Sequence, residues 1–236
     1  MNEDYGIDLE NAKITISVIA EILGYPALQT EIKESSIIKP MSLKPANIGE
    51  LYNFGGYEWR VLNKQNGRIL LLLDRIWDKR PYNETGENTT WERCTLRKEL
   101  NNKFYNSIPK SDRERVIKTR ISNPNNPCYG TPGGNDTEDY VFILSLDEVV
   151  NYFGDSHKLK KRLGYVHYKY AYYIDDQYNN ARIAYDEDDK VCVWSLRSPG
   201  FNGFHMIEVY NDGNIRIDGY FNYYNSGVRP ACWVNI

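Results

Sequence analysis

The sequence predicts an α+β domain built mainly on antiparallel sheet with two or more short helices, preceded by an N-terminal helical appendage. Three observations carry this. Strand-like runs flank an Asn-Gly step, one stretch spaces its apolar residues at a helical period, and a C-terminal run alternates apolar with polar side chains.

In chain order, residues 8–23 carry Leu9, Ile14, Ile16, Val18, Ile19, Ile22 and Leu23, with Asp8 placed as a cap and Gly24 and Pro26 as a stop. They read as an amphipathic helix. The stretch SSIIKPMSLKPANIG, residues 35–49, holds two prolines and no helical period, so it reads as a linker or extended arm. The domain is therefore expected over residues 48–236, with residues 1–47 as the appendage. YEWRVL and GRILLLLDRI lie on either side of a segment ending in Asn66-Gly67, a strong hairpin turn signal. TWERCTLRKELNNKFYNSI places Leu96, Leu100, Phe104 and Tyr105 on one helical face, with Thr90 or Thr95 able to cap it. A second short helix is expected at Ser111 to Lys118. SNPNNPCYGTPGGNDTED reads as loop, YVFILSL as a buried strand and DEVVNYFG as a short helix. The basic HKLKKRLG, the tyrosine-rich run after it and the acidic YDEDDK read together as a solvated surface excursion.

With 236 residues, of which 41% are hydrophobic, the chain is long enough for one sizeable core. A net charge of -3 supplies no global positive field, so nucleic acid is not an expected partner. The acidic N-terminus lacks the basic start of a secretory signal, and no apolar run approaches the ~20 residues of a membrane helix. A soluble protein of a cytoplasm or a phage particle is expected, without membrane insertion.

Cys94, Cys128, Cys192 and Cys232 form no Cys-x-x-Cys pair, and His157, His167 and His205 show no metal-ligand spacing. Free, buried thiols and no metal centre are expected. Motifs for a nucleophile elbow, a phosphate loop or a dinucleotide cofactor are missing, so no cofactor is expected. Asn135, Asp136 and Asp139, with DEDD at 186–189, offer oxygen ligands of the kind calcium uses, but such residues also make turns that bond their own backbone.

Read together, GGYEWRVL, KRPYNE, TWERCTLRKELN, YGTPGGNDTEDYVFILS, WSLRSPG and SGVRPACWV resemble a bacterial and phage domain family with a C-type-lectin-like fold, distantly similar to the formylglycine-generating enzymes. The paired LRSPG and GVRPA motifs are its specific part. Ser195 and Glu99 stand where that family commonly has tryptophan. The resemblance implies core roles for Trp194, Leu196 and Trp233, and structural roles for Arg197 and Arg229, whose planar forks would tie loops to carbonyls or carboxylates. It implies turns or close backbone approach at Gly200, Gly213, Gly219 and Gly227.

Domains that are similar include the variable proteins of diversity-generating retroelements, in which template adenines are randomised and Asn codons become many other residues. The corresponding interval here runs from Phe201 to Ser226. Asn202, Gly203, Phe204, His205, Tyr210, Asn211, Asp212, Asn214, Arg216, Asp218, Tyr220, Asn222, Tyr223, Tyr224, Asn225 and Ser226 are all types that such randomisation gives, whereas Met206 and Glu208 are not and should be fixed scaffold. Composition points the same way. Tyrosine gives amphipathic contact at low entropy cost and asparagine gives adaptable hydrogen bonding, which is how antibody loops bind. The expectation is a non-enzymatic protein whose Tyr/Asn-rich surface binds a protein or other macromolecular ligand, with Tyr210, Arg216, Tyr220, Tyr223 and Tyr224 as anchors and Ile215, Ile217 and Phe221 facing inward. The N-terminal helix is a candidate for homo-oligomer formation. The rival expectations are a formylglycine-generating-like oxidase using Cys192 with Cys232, and a calcium-dependent sugar-binding lectin, whose Glu-Pro-Asn and Trp-Asn-Asp motifs the chain lacks.

Overall fold

The computed structural model describes residues 47–154 and 172–236. The expected helix at 8–23, nearly all of the 35–49 arm and the basic and tyrosine-rich run up to residue 171 lie outside the described residues. What is described is α+β, with short helices and mostly antiparallel sheet.

Strands β1 (Leu51–Phe54), β2 (Tyr57–Gln65) and β3 (Arg68–Leu73) form consecutive hairpins. Asn66 and Gly67 have φ of 50° and 73°, the left-handed pair that a two-residue turn matched to strand twist requires. Ile69 to Leu73 are all buried, so β3 is covered on both faces, which is why its sequence runs apolar without alternating. Its other neighbour is the last strand, β15 (Ala231–Asn235), which also pairs with β5 (Val116–Ile117). The sheet order is β1-β2-β3-β15-β5.

The first helix, α1 (Thr95–Glu99), continues as a π-helical segment, Leu100–Phe104, and then α2 (Tyr105–Ser107). Leu96, Leu100 and Phe104 are buried, and the wider π turn offsets the drift that a strict spacing of four has in an α-helix. The Phe104 ring meets those of Tyr57, Trp59 and Trp77 at 5.3, 6.0 and 5.0 Å. Neither threonine caps this helix. Cys94 does, its Sγ accepting from the Arg97 N–H at 3.4 Å, while Thr95 Oγ1 accepts from the Glu84 N–H.

The helix expected at Ser111 to Lys118 is only one turn, α3 (Lys110–Arg113). The β-branched Val116 and Ile117 leave it to pair with β15, and Thr119–Ile121 (β6) pairs with Thr137–Asp139 (β7), a short strand inside the expected loop. YVFILSL is buried from Val141 onward but is not a ladder strand, since only Phe142 bridges, to Ala231. The side chain of Asn101 takes the partner's place. Its Oδ1 accepts from Tyr140 and Val141, and its Nδ2 donates to the Val141 carbonyl. Helix α4 (Leu146–Phe153) starts with a capping box, Ser145 and Glu148 each bonding the other's backbone.

The second sheet has six strands in the order β4-β14-β11-β12-β13-β8. They are β4 (Asp78–Arg80), β14 (Ser226–Val228), β11 (Trp194–Pro199), β12 (His205–Val209), β13 (Ile215–Phe221) and β8 (Tyr173–Ile174). Only β11 and β14 run parallel within it. A short helix, α5 (Asn179–Arg182), and the two-residue strands β9 (Ala184–Tyr185) and β10 (Val191–Cys192) lie between. Among the described residues no helix is long and apolar enough to cross a membrane.

Candidate functional site

The regular ladder of β12 breaks at Ile207. On one side β11 passes from Ser195↔Glu208 to Pro199↔Met206, and on the other β13 passes from Arg216↔Glu208 to Tyr220↔Met206. Both neighbours thus bulge around one residue. Gly219 takes φ of 77°, and a Cβ there would lie 2.3 Å from the Met206 carbonyl oxygen. Gly200 meets the Asp218 carbonyl as closely, and the Phe201 N–H donates to that carbonyl at 2.9 Å. Carbonyls freed by the bulges are collected by buried Asn126, whose Nδ2 donates to Pro199 at 2.8 Å and Ile217 at 3.0 Å.

The bulge decides which side chains face outward. Ile215 and Ile217 are buried, but Phe221, expected inside, is exposed beside Tyr220. Asp218 and Asn222, expected on display, are buried, and so is Ser226. Strict alternation cannot survive three residues of β13 standing opposite one of β12.

Beyond the bulge the rings collect. Phe204, Tyr220, Phe221, Tyr223 and Tyr224 keep 37 to 50% of their surface in solvent. Tyr224 lies 4.8 Å from Tyr223 and 5.3 Å from Tyr220, and Phe221 lies 5.3 Å from Tyr223. His205 extends the row at 4.4 Å from Phe221 and 4.3 Å from Phe201. Burial holds the His205 imidazolium below its ordinary pKa, with Asp218 opposing and Arg216 adding to that effect. Asn202 bends the approach, its Oδ1 accepting from the Phe204 N–H and facing His205 Nδ1 at 2.7 Å.

The surface is anchored from below by the loop that follows β4. Asn222 Nδ2 donates to the Glu87 carbonyl at 2.8 Å, its carbonyl accepts from Asn83, and the Thr89 N–H donates to Gly203. Tyr223 packs over Gly86. Sequence reasoning placed none of these loop residues at the site, because contacts across more than a hundred positions leave no periodic signal.

Alongside, Arg216 Nη2 and Nε donate to the Asp218 carboxylate at 3.0 to 3.2 Å and Nη1 donates to the Tyr210 hydroxyl at 2.7 Å, with the guanidinium 5.5 Å from the Tyr220 ring centre. Burial works against the charge of Arg216, but the bonds to Asp218 and Tyr210 outweigh it. Asn211 and Asn214 sit in the turn at the opposite end of the β12–β13 hairpin, where Asn214 bonds Asp212 and Gly213 takes φ of 80°. The exposed Asn225 stays with the rings. Met206 and Glu208 are buried.

Trp194, Leu196 and Trp233 are buried. Arg197 bonds both oxygens of Glu148 and the carbonyls of Ile143 and Ser122. Arg229 donates to the carbonyls of Leu73 and Asp74. Gly227 lies within β14, not in a turn, and a Cβ there would meet the Val193 carbonyl oxygen at 2.6 Å.

The calcium ligands are not brought together. Asp139 is held by Arg97 and Trp91, Asp136 by Arg120, Asn135 bonds Glu92, and Asp186 bonds Lys79, which holds its pKa down at about 2. Among the described residues no three His, Cys, Asp or Glu side chains are grouped to hold a metal. Cys192 and Cys232 lie in different sheets, all four thiols are buried, and burial alone pushes the Cys232 pKa well up.

Residues 66–236 match the model of a family described as a domain of unknown function, DUF6273. The chain belongs to that family. The DUF6273 match begins in the β2–β3 turn and takes in both sheets' shared C-terminal segment, including every ring of the exposed row. No curated protein and no solved structure matches the chain.

Proposed function

We infer that this DUF6273 protein is a non-enzymatic binding protein with a C-type-lectin-like fold, and that the rings of Phe204, Tyr220, Phe221, Tyr223 and Tyr224 form the surface that takes up a protein ligand. One observation carries the reading. Four large rings, Tyr220, Phe221, Tyr223 and Tyr224, stand together in solvent, with Phe204 also exposed, on a frame whose backbone is fixed by buried Asn126, Asn222, Gly200 and Gly219. Exposed aromatic groups of this kind cost solubility and mark interaction sites. Frame and display are separable here, since among the described residues the hydroxyls of Tyr220, Tyr223 and Tyr224 make no hydrogen bond to the buried frame. This separation also supports the variable-protein reading, in which the display residues change between copies of the gene while Ile215, Ile217 and Glu208 do not. The buried and separated cysteines weigh against an oxidase reading.

The test is the combined variant Tyr220→Ala, Tyr223→Ala, Tyr224→Ala, assayed against a partner captured by the unaltered chain. Binding should be lost while the melting temperature stays close to that of the parent. Unaltered binding by a folded triple variant would overturn the reading.

A further inference from the structure

We propose that the cleft beside the exposed rings receives a lysine or arginine side chain of the ligand, with Glu208 as its counter-charge. The inference rests on the reading of the ring surface as a binding face and names the chemistry that face selects. The cleft encloses about 380 Å³ and is lined by Glu208, Tyr210, Tyr220, Asn225, Ser226 and Lys79. That is near the lower end of the ~300–1,000 Å³ range of ligand pockets, enough for one long side chain and too little for a peptide segment.

Its charges do not balance internally. Lys79 Nζ is held by Asp186 Oδ2 at 2.7 Å, and Arg216, directly opposite Glu208 in the ladder, gives its charge to Asp218. Glu208 is only 5% exposed, yet among the described residues no ion pair includes it. Ser226 is likewise buried, and its Oγ has no hydrogen-bond partner of normal geometry. A hydroxyl is thus held out of water without a partner of normal geometry, beside a buried carboxylate that no cation neutralises, at a cost to the fold.

A cation entering the cleft would relieve that cost. An ammonium or guanidinium group brings N–H donors to the carboxylate and the hydroxyl, and the rings of Tyr210 and Tyr220 add cation–π attraction along the stem. A neutral side chain of the same length would supply only the apolar contact.

The test uses the full chain and three end-blocked pentapeptides, Gly-Gly-X-Gly-Gly with lysine, arginine or norleucine at X, titrated by tyrosine fluorescence. The lysine and arginine peptides should bind saturably and the norleucine peptide at least tenfold more weakly. Glu208→Gln, which keeps shape and removes charge, should weaken the lysine peptide at least tenfold and raise the melting temperature. Equal binding of norleucine, no saturable binding, unchanged affinity in Glu208→Gln or a lowered melting temperature would each overturn the proposal. Failure here is distinct from failure of the ring surface. If the Tyr220, Tyr223 and Tyr224 triple variant still loses the captured partner, only the cation cleft falls.

Discussion

The side-chain amide of Asn222 donates to the main-chain carbonyl of Glu87 at 2.8 Å, joining positions 135 residues apart. This bond makes the tyrosine loop and the loop after β4 one surface, and it turns a residue of apparent display type into frame. Asn222→Ala should lower stability by about 1–3 kcal/mol, because the Glu87 carbonyl loses the shorter of its two side-chain donors and keeps only Asn83 Nδ2 at 3.4 Å. Urea unfolding measures it, and an unchanged midpoint would return Asn222 to the display set.

Gly219→Ala meets two obstacles, a φ of 77° and a Cβ 2.3 Å from the Met206 oxygen. A loss of about 3 kcal/mol is expected, more than strain alone costs, because backbone and not a flexible side chain blocks the new atom. Thermal unfolding checks it.

Arg197 should be irreplaceable by lysine. Its fork reaches Glu148, which also caps α4, so Arg197→Ala removes a mostly buried pair and should cost about 3 kcal/mol. Arg197→Lys should recover less than half, since an ammonium cannot span both oxygens and two carbonyls. Denaturant titration of both variants decides.

Burial pushes the Glu208 pKa up, with Ser226 and Arg216 opposing. For an acid raised in the folded state, the full stability is present below its unfolded pKa and declines as pH rises through the folded value. Glu208→Gln should therefore match the parent near pH 4 and exceed it at pH 7. Melting temperatures over that range test the sign, and a parent more stable than the variant at pH 7 would contradict it.

Much of the frame was legible in the sequence for local reasons. The Asn66-Gly67 turn, the buried run of β3 and the helix at DEVVNYFG follow from period and turn chemistry. What escaped depends on distant partners. Val116 and Ile117 left a helical pattern for an edge of β15, and Asn101 stood in for a strand beside Val141. At the site, alternation read Ile215 and Ile217 correctly and failed from Asp218 onward, where the bulge enters. A glycine two residues past an alternating Ile-Arg-Ile run was the available signal. The tyrosine cluster itself was visible as composition, but its seat on Gly86 and Asn222 was not.

Amide hydrogen exchange of the full chain, alone and with its captured partner, tests the ring surface most directly. Slowed exchange should concentrate at residues 202–205 and 220–225, with the turn at 211–214 unaffected. Protection confined to the 211–214 turn or to the five-stranded sheet, with the ring segments exchanging as in the free chain, would contradict it.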